Sequence, residues 1–94
     1  MFQSEYSAAV RNAIDDVVSS AGLASVSALA RRLDISRQTI GKWRATGLVP
    51  TQRALQMELI SKGKVSWQRL CPDIVDDFQQ NQQVINVYEA RLKR

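Results

Sequence analysis

Arg37 and Gln38 stand side by side and Lys42 follows within the next turn and a half. On a helix with 3.6 residues per turn, that spacing sets all three along one broad side. Each has a use at the edge of a base pair. A guanidinium offers guanine O6 and N7 a two-pronged donor, a carboxamide pairs with adenine N6 and N7, and an ammonium donates to guanine or to phosphate. These groups recognise; none is a nucleophile backed by a base. The chain has no histidine and one cysteine, Cys71. That inventory excludes His-dependent acid–base catalysis, zinc sites of the Cys/His type and an intramolecular disulfide. No P-loop, glycine-rich phosphate loop or Ser-His-Asp set occurs. Asp76 and Asp77 are adjacent, but helix neighbours point about 100° apart, so they fit a dipole-complementing first turn better than a carboxylate pair. An enzyme is not expected, and no cofactor or metal is implied.

The charge distribution supports a polyanion as partner. The 94-residue chain carries a net charge of +4. Residues 25–70 hold nine Lys or Arg against Asp34 and Glu58, a local balance of +7, while both flanking segments are mildly acidic. A basic middle is also what soluble helices present to water, so charge alone leaves both readings open. No apolar run approaches the roughly 18 residues of a membrane span, and the polar start MFQSEYS does not read as a signal peptide. The expectation is a soluble protein of the bacterial cytosol, without a membrane partner.

The elements that must position these side chains are all helical. The fold class expected is all-α, with five to six helices. Ser4 is placed to cap a first helix with Ala9/Val10, Ala13/Ile14 and Val17/Val18 on its apolar face, and Gly22 to stop it in the left-handed conformation. Ser25 or Ser27 caps the next helix, with Ala28/Leu29, Ala30 and Leu33 inward. Ser36 opens a helix to about Ala45, which Gly47 terminates. Pro50 suits the first position of TQRALQMELISK, which Gly63 closes. Ser66 caps the short turn WQRL, which ends before Pro72. Trp43, Trp67 and Cys71 are expected in the core.

Between the second and third helices the spacing is that of a helix-turn-helix, where only three or four residues separate two crossing helices. A small residue, Ala30, permits close crossing. Asp34 stands four positions on, where the chain needs a left-handed residue, and aspartate is one of the few non-glycine residues to tolerate that region. Ile35 is an apolar plug and Ser36 a cap. Ile40, ten positions after Ala30, anchors the second helix together with Trp43. A left-handed φ at Asp34 is the sharpest structural expectation, because a continuous helix there would put Arg37 and Gln38 out of register.

ALARRLDISRQTIGKW resembles the helix-turn-helix of phage Cro-type repressors, including the YdaS-like Cro/antitoxin group of prophages. The likeness runs on through RATGLVPTQRALQMELISKGKVSWQRLCPDI, roughly residues 25–74. It implies a small all-helical, lambda-repressor-like transcriptional regulator that binds double-stranded operator DNA as a dimer. Residues 1–72 would then form the DNA-binding domain, with the motif at about 26–45. Base contacts would fall to Arg37, Gln38 and Lys42, in and after the first turn of the reading helix. Ser27, Thr39, Arg44, and Thr51 with Arg53 at a helix N-terminus are the phosphate candidates. Arg31 and Arg32, like Lys62 and Lys64, read more simply as solvating residues. Gly41 lies on the same face as the base-reading residues, although glycine inside a helix costs about 1 kcal/mol relative to alanine. Either DNA approaches its backbone closely or another helix packs there.

Residues 73–94 form a further helical extension. Ile74, Phe78, Asn81, Ile85, Tyr88 and Leu92 alternate by fours and threes, a heptad seam with one polar interruption. Such a seam suits self-association or a protein partner, and packing against its own domain is the alternative. An antitoxin or adaptor acting through this tail is the second functional class.

Overall fold

The computed structural model describes residues 5–80, and all regular structure there is helical. Six helices follow one another: α1 (Ser7–Ser20), α2 (Val26–Leu33), α3 (Arg37–Thr46), α4 (Thr51–Ile60), the single turn α5 (Trp67–Leu70) and α6 (Pro72–Gln80). The starts of α2 and α3 follow from caps that the sequence carries, whereas α1 starts after Tyr6 with no side-chain cap and the expected Ser4 cap lies outside the described residues. Ser25 opens α2 by accepting the Ala28 N–H at 3.2 Å, and Ser36 opens α3 by accepting the Thr39 N–H at 3.1 Å. Either bond satisfies one of the N–H groups that a helix start leaves without a carbonyl.

The ends of α1 to α4 are built by left-handed residues. Gly22, at φ +69°, lets its own N–H reach Ser19 and the Leu23 N–H reach Val18, the paired bonds of a Schellman motif. Asp34, at φ 57° and ψ 46°, does the same for α2: its N–H bonds Arg31 and the Ile35 N–H bonds Ala30 at 3.0 Å. The helix-turn-helix register is thereby fixed. The Asp34 side chain is exposed and makes no hydrogen bond among the described residues, so the backbone bonds alone hold the conformation. After α4 the expected role of Gly63 is shared. Lys62 takes the first left-handed position at φ 58° and Gly63 follows at φ +80°. The Schellman bonds run from Lys62 to Leu59 and from Gly63 to Glu58. Pro50 precedes α4 as its cap residue instead of opening its first turn.

Ser66 precedes α5 without a side-chain cap bond. The carboxylate of Glu58, on α4, accepts the Trp67 N–H at 2.7 Å in its place. The buried Ser61 hydroxyl accepts the Val65 N–H at 3.0 Å and donates to the Glu58 carbonyl at 2.9 Å. These bonds fold the α4–α5 connection back on itself.

One core unites the helices. α1 contributes Val10, Ala13, Ile14 and Val17, all fully buried; α2 contributes Leu29, Ala30 and Leu33, α3 Ile40 and Trp43, and α4 Ala54 and Met57. Trp67, Leu70 and Cys71 close the far side, with Ile74 and Val75 of α6 half-buried against them. Of the expected apolar positions, Ala9 is exposed and Val18 and Ala28 are half-buried, at the margins of their helix faces. In the expected heptad seam, Ile74 thus packs on its own domain. Asn81, Ile85, Tyr88, Leu92 and the Phe78 side chain lie outside what the structure describes.

Of the glycines, Gly47 is the one pressed against another part of the chain. It ends α3 at φ +73°, and its N–H bonds the Trp43 carbonyl at 2.7 Å. A Cβ at this position would stand 2.7 Å from the Ser7 N and 2.9 Å from the Tyr6 C. The end of α3 is therefore seated directly on the backbone that starts α1.

Candidate nucleic-acid interface

The orientation of α3 decides what its side chains can do. Ile40, with no exposed surface, and Trp43 turn inward, fixing the helix about its axis. At about 100° per residue, Gln38, Gly41, Lys42 and Ala45 then fall on the opposite side, with Arg37 on one flank and Thr39 and Thr46 on the other. Arg37, Gln38, Gly41 and Lys42 are all exposed. Arg37, Gln38 and Lys42 make no hydrogen bond or ion pair among the described residues. Their donors are available to an external acceptor. The N–H groups of Arg37 and Gln38 belong to the first turn, beyond the reach of any intrahelical carbonyl, and reinforce this end of α3 for an anion.

The phosphate candidates separate into two kinds. Thr51 is exposed at the start of α4, and Ser27 and Thr39 are half-exposed near the starts of α2 and α3. The Thr39 hydroxyl already shares a 2.9 Å hydrogen bond with that of Ser36. Arg44 and Arg53 are engaged within the protein. Arg44, a phosphate candidate from the sequence, lies only about 40° from Ile40 around the helix. Its guanidinium reaches α1, 3.5 Å from an Asp15 carboxylate oxygen. The Arg53 guanidinium donates to the Leu33 carbonyl at 3.0 Å and to Gln56 Oε1 at 2.9 Å. Leu33 ends α2, so Arg53 satisfies one of the carbonyls the helix leaves open, directly beneath the turn. Arg53 thus ties α4 to the helix-turn-helix.

Asp15, Asp16 and Glu58 are the structural partners that sequence reasoning passed over. Asp16 pairs with Arg69 of α5 at 2.7 Å. The acids of α1 therefore neutralise cations on their own side of the molecule. Arg31, Arg32, Arg37 and Lys42 of α2 and α3 are exposed with no acidic partner among the described residues. Lys62 and Lys64, beyond the end of α4, are exposed without an acidic partner as well, so the helix-turn-helix carries four of the six cations of residues 25–70 that have no partner among the described residues. A further bond joins the two ends of the described chain, from the Tyr6 hydroxyl to the Asp76 carboxylate at 2.5 Å. The same bond raises the Tyr6 phenol above its ordinary range.

An open groove of about 610 Å³ runs beside α3, lined by Thr39, Lys42, Trp43, Thr46, Leu48, Val49, Pro50 and Asp73. It contains one carboxylate and no nucleophile paired with a base. Cys71 is buried nearby, its thiol donating to the Val49 carbonyl at 3.2 Å. Burial and the charge of Asp73 push that thiol up to about 11, against a smaller lowering by Thr51.

The fold and this surface define a small helical domain of the helix-turn-helix class. Residues 10–79 match the family described as bacterial toxin YdaS, and the chain belongs to that family. Comparison with curated proteins and with solved structures gives no match.

Proposed function

We propose that the protein is a sequence-specific DNA-binding regulator, of the Cro-like repressor kind, which acts by occupying an operator. The observation that carries this reading is the state of Arg37, Gln38 and Lys42. They are exposed and unpartnered on the outer side of a helix held by Ile40 and Trp43, immediately after a left-handed turn at Asp34. Arg37 and Gln38 read base edges in the major groove, and Lys42 donates to guanine or phosphate. Ser27, Thr39 and Thr51 hold the backbone. A symmetric dimer would place two reading helices on half-sites about 34 Å apart. Occupancy of an operator needs no cofactor.

Selection from a random duplex pool, repeated at several salt concentrations, tests the proposal. The expected result is an enriched site whose affinity falls steeply with salt. Arg37→Ala or Gln38→Ala relaxes base preference at single positions. Binding with no sequence preference, or with no salt dependence, sinks the reading.

The family's description as a toxin favours a second reading, a protein-interaction component of a toxin–antitoxin pair. Two exposed leucines of α4, Leu55 at 45% and Leu59 at 77%, suit protein contact. Light scattering on the full chain and on a chain ending near Asp77 separates self-association through the tail from a monomer that awaits another protein.

A further inference from the structure

Among the described residues nothing packs on Gly41. Glycine within a helix weakens it relative to alanine, so a helix-interior glycine needs a compensating use. Three uses are common: a left-handed φ, close approach of a neighbouring backbone, and a kink. Gly41 is absent from the positive-φ residues, whereas Gly22, Gly47 and Gly63 are all among them. A Cβ built on Gly41 meets no described atom within 4 Å, in contrast to Gly47. α3 also runs without interruption from Arg37 to Thr46. The packing of another described helix, one of the two explanations open from sequence, is thereby removed.

Its position points outward. Gly41 is exposed one turn after Gln38 and next to Lys42, on the side of α3 turned away from Ile40 and Trp43. We infer that Gly41 is the seat of the DNA, where the floor of the major groove comes closest to the backbone of α3. The residue at 41 therefore sets how deep the helix enters and which base edges Gln38 and Lys42 can reach. Position 41 acts as a specificity determinant by lacking a side chain. This inference rests on the DNA-binding reading and assigns it a depth of insertion.

Gly41→Ala separates the two sides of the argument, because the variant folds at least as well as the parent. In the full chain its melting midpoint is expected to rise by roughly 4–8 °C, as removal of an exposed helix-interior glycine predicts. Its affinity for the duplex selected by the parent is expected to fall at least tenfold. Affinity for a scrambled duplex, and the slope of log affinity against log salt, stay as in the parent, since the phosphate contacts are retained. A parent-like affinity for the selected duplex, within twofold, overturns the inference and leaves the DNA-binding reading standing. A lower melting midpoint also overturns it, by revealing an internal role for the glycine. A parent protein that selects no sequence overturns both.

Discussion

Gly47→Ala is the glycine substitution the fold should resist most, and Gly22→Ala provides its control. Both glycines end a helix in the left-handed region, at φ +73° and φ +69°. Any L-residue there loses about 1–2 kcal/mol. At Gly22 nothing lies within 4 Å of the added methyl, so that loss is the whole effect. At Gly47 the methyl would sit 2.7 Å from the Ser7 N, 2.9 Å from the Tyr6 C and 3.0 Å from the Ser7 Cα. All three are backbone atoms, which cannot swing aside as a side-chain tip does. Relieving an overpacked contact of this kind costs a further 1–3 kcal/mol, roughly, bringing the total to about 2–5 kcal/mol. A domain of this length has about 5–14 kcal/mol of stability in all. Urea unfolding followed by circular dichroism reads the difference. With a denaturant slope of about 1–3 kcal/mol per molar, the Gly47→Ala midpoint should lie about 1 M below that of Gly22→Ala. Equal midpoints for the two variants would refute the seating of α3 on the start of α1.

The other expectations concern charge, conformation and pH. Asp15→Asn frees the Arg44 guanidinium. Since an exposed ion pair contributes at most about 1 kcal/mol, the melting midpoint should hardly move, while affinity for all duplexes rises a few-fold with a steeper salt dependence. If neither affinity nor salt slope changes in binding titrations, Arg44 takes no part. At Asp34 the order of stabilities from urea unfolding should be Gly at or above Asp, and Asp above Val by about 1–2 kcal/mol, because a β-branched residue is a severe outlier at positive φ. A tolerated Asp34→Val would contradict the turn. Burial raises the Cys71 thiol from its ordinary 9.0 to about 11. Its contribution to stability is complete below pH 9 and is lost as pH climbs towards 11, where the unfolded chain ionises first. Compared with Cys71→Ala, the parent should lose up to about 1.4 kcal/mol per pH unit in that window. Parallel urea-midpoint profiles for the two proteins would contradict the buried thiol.

Local signals in the sequence reach far into this fold, and they stop where long-range partners begin. Ser25, Ser36, Gly22, Gly47 and Asp34 each act on backbone groups within a few residues, so their identity alone determines a start or a stop. The alternation that sends Ile40 and Trp43 inward likewise turns Arg37, Gln38 and Lys42 outward. Arg44 and Arg53 were not legible in this way. Their partners, Asp15 and the Leu33 carbonyl, lie on other helices, and nothing at positions 44 or 53 distinguishes a cation awaiting phosphate from one already engaged. Glu58 is similar, since its cap on Trp67 depends on how the α4–α5 connection folds back. The left-handed Lys62 defeats a glycine-based rule because the Schellman bonds hold a residue that carries a side chain.

The seating of α3 on the beginning of α1 makes the helix-turn-helix an excerpt and not a module. Ser7 and Gly47 are 40 positions apart, yet the end of α3 comes to rest where they meet. A peptide cut at the edges of the signature would keep Asp34 and Ser36 but lose its floor. Transplanting the signature onto another scaffold would fail for the same reason. Rewriting only positions 37, 38, 41 and 42 leaves that floor intact, so the surface that meets the outside world can diverge between relatives while its foundation stays put.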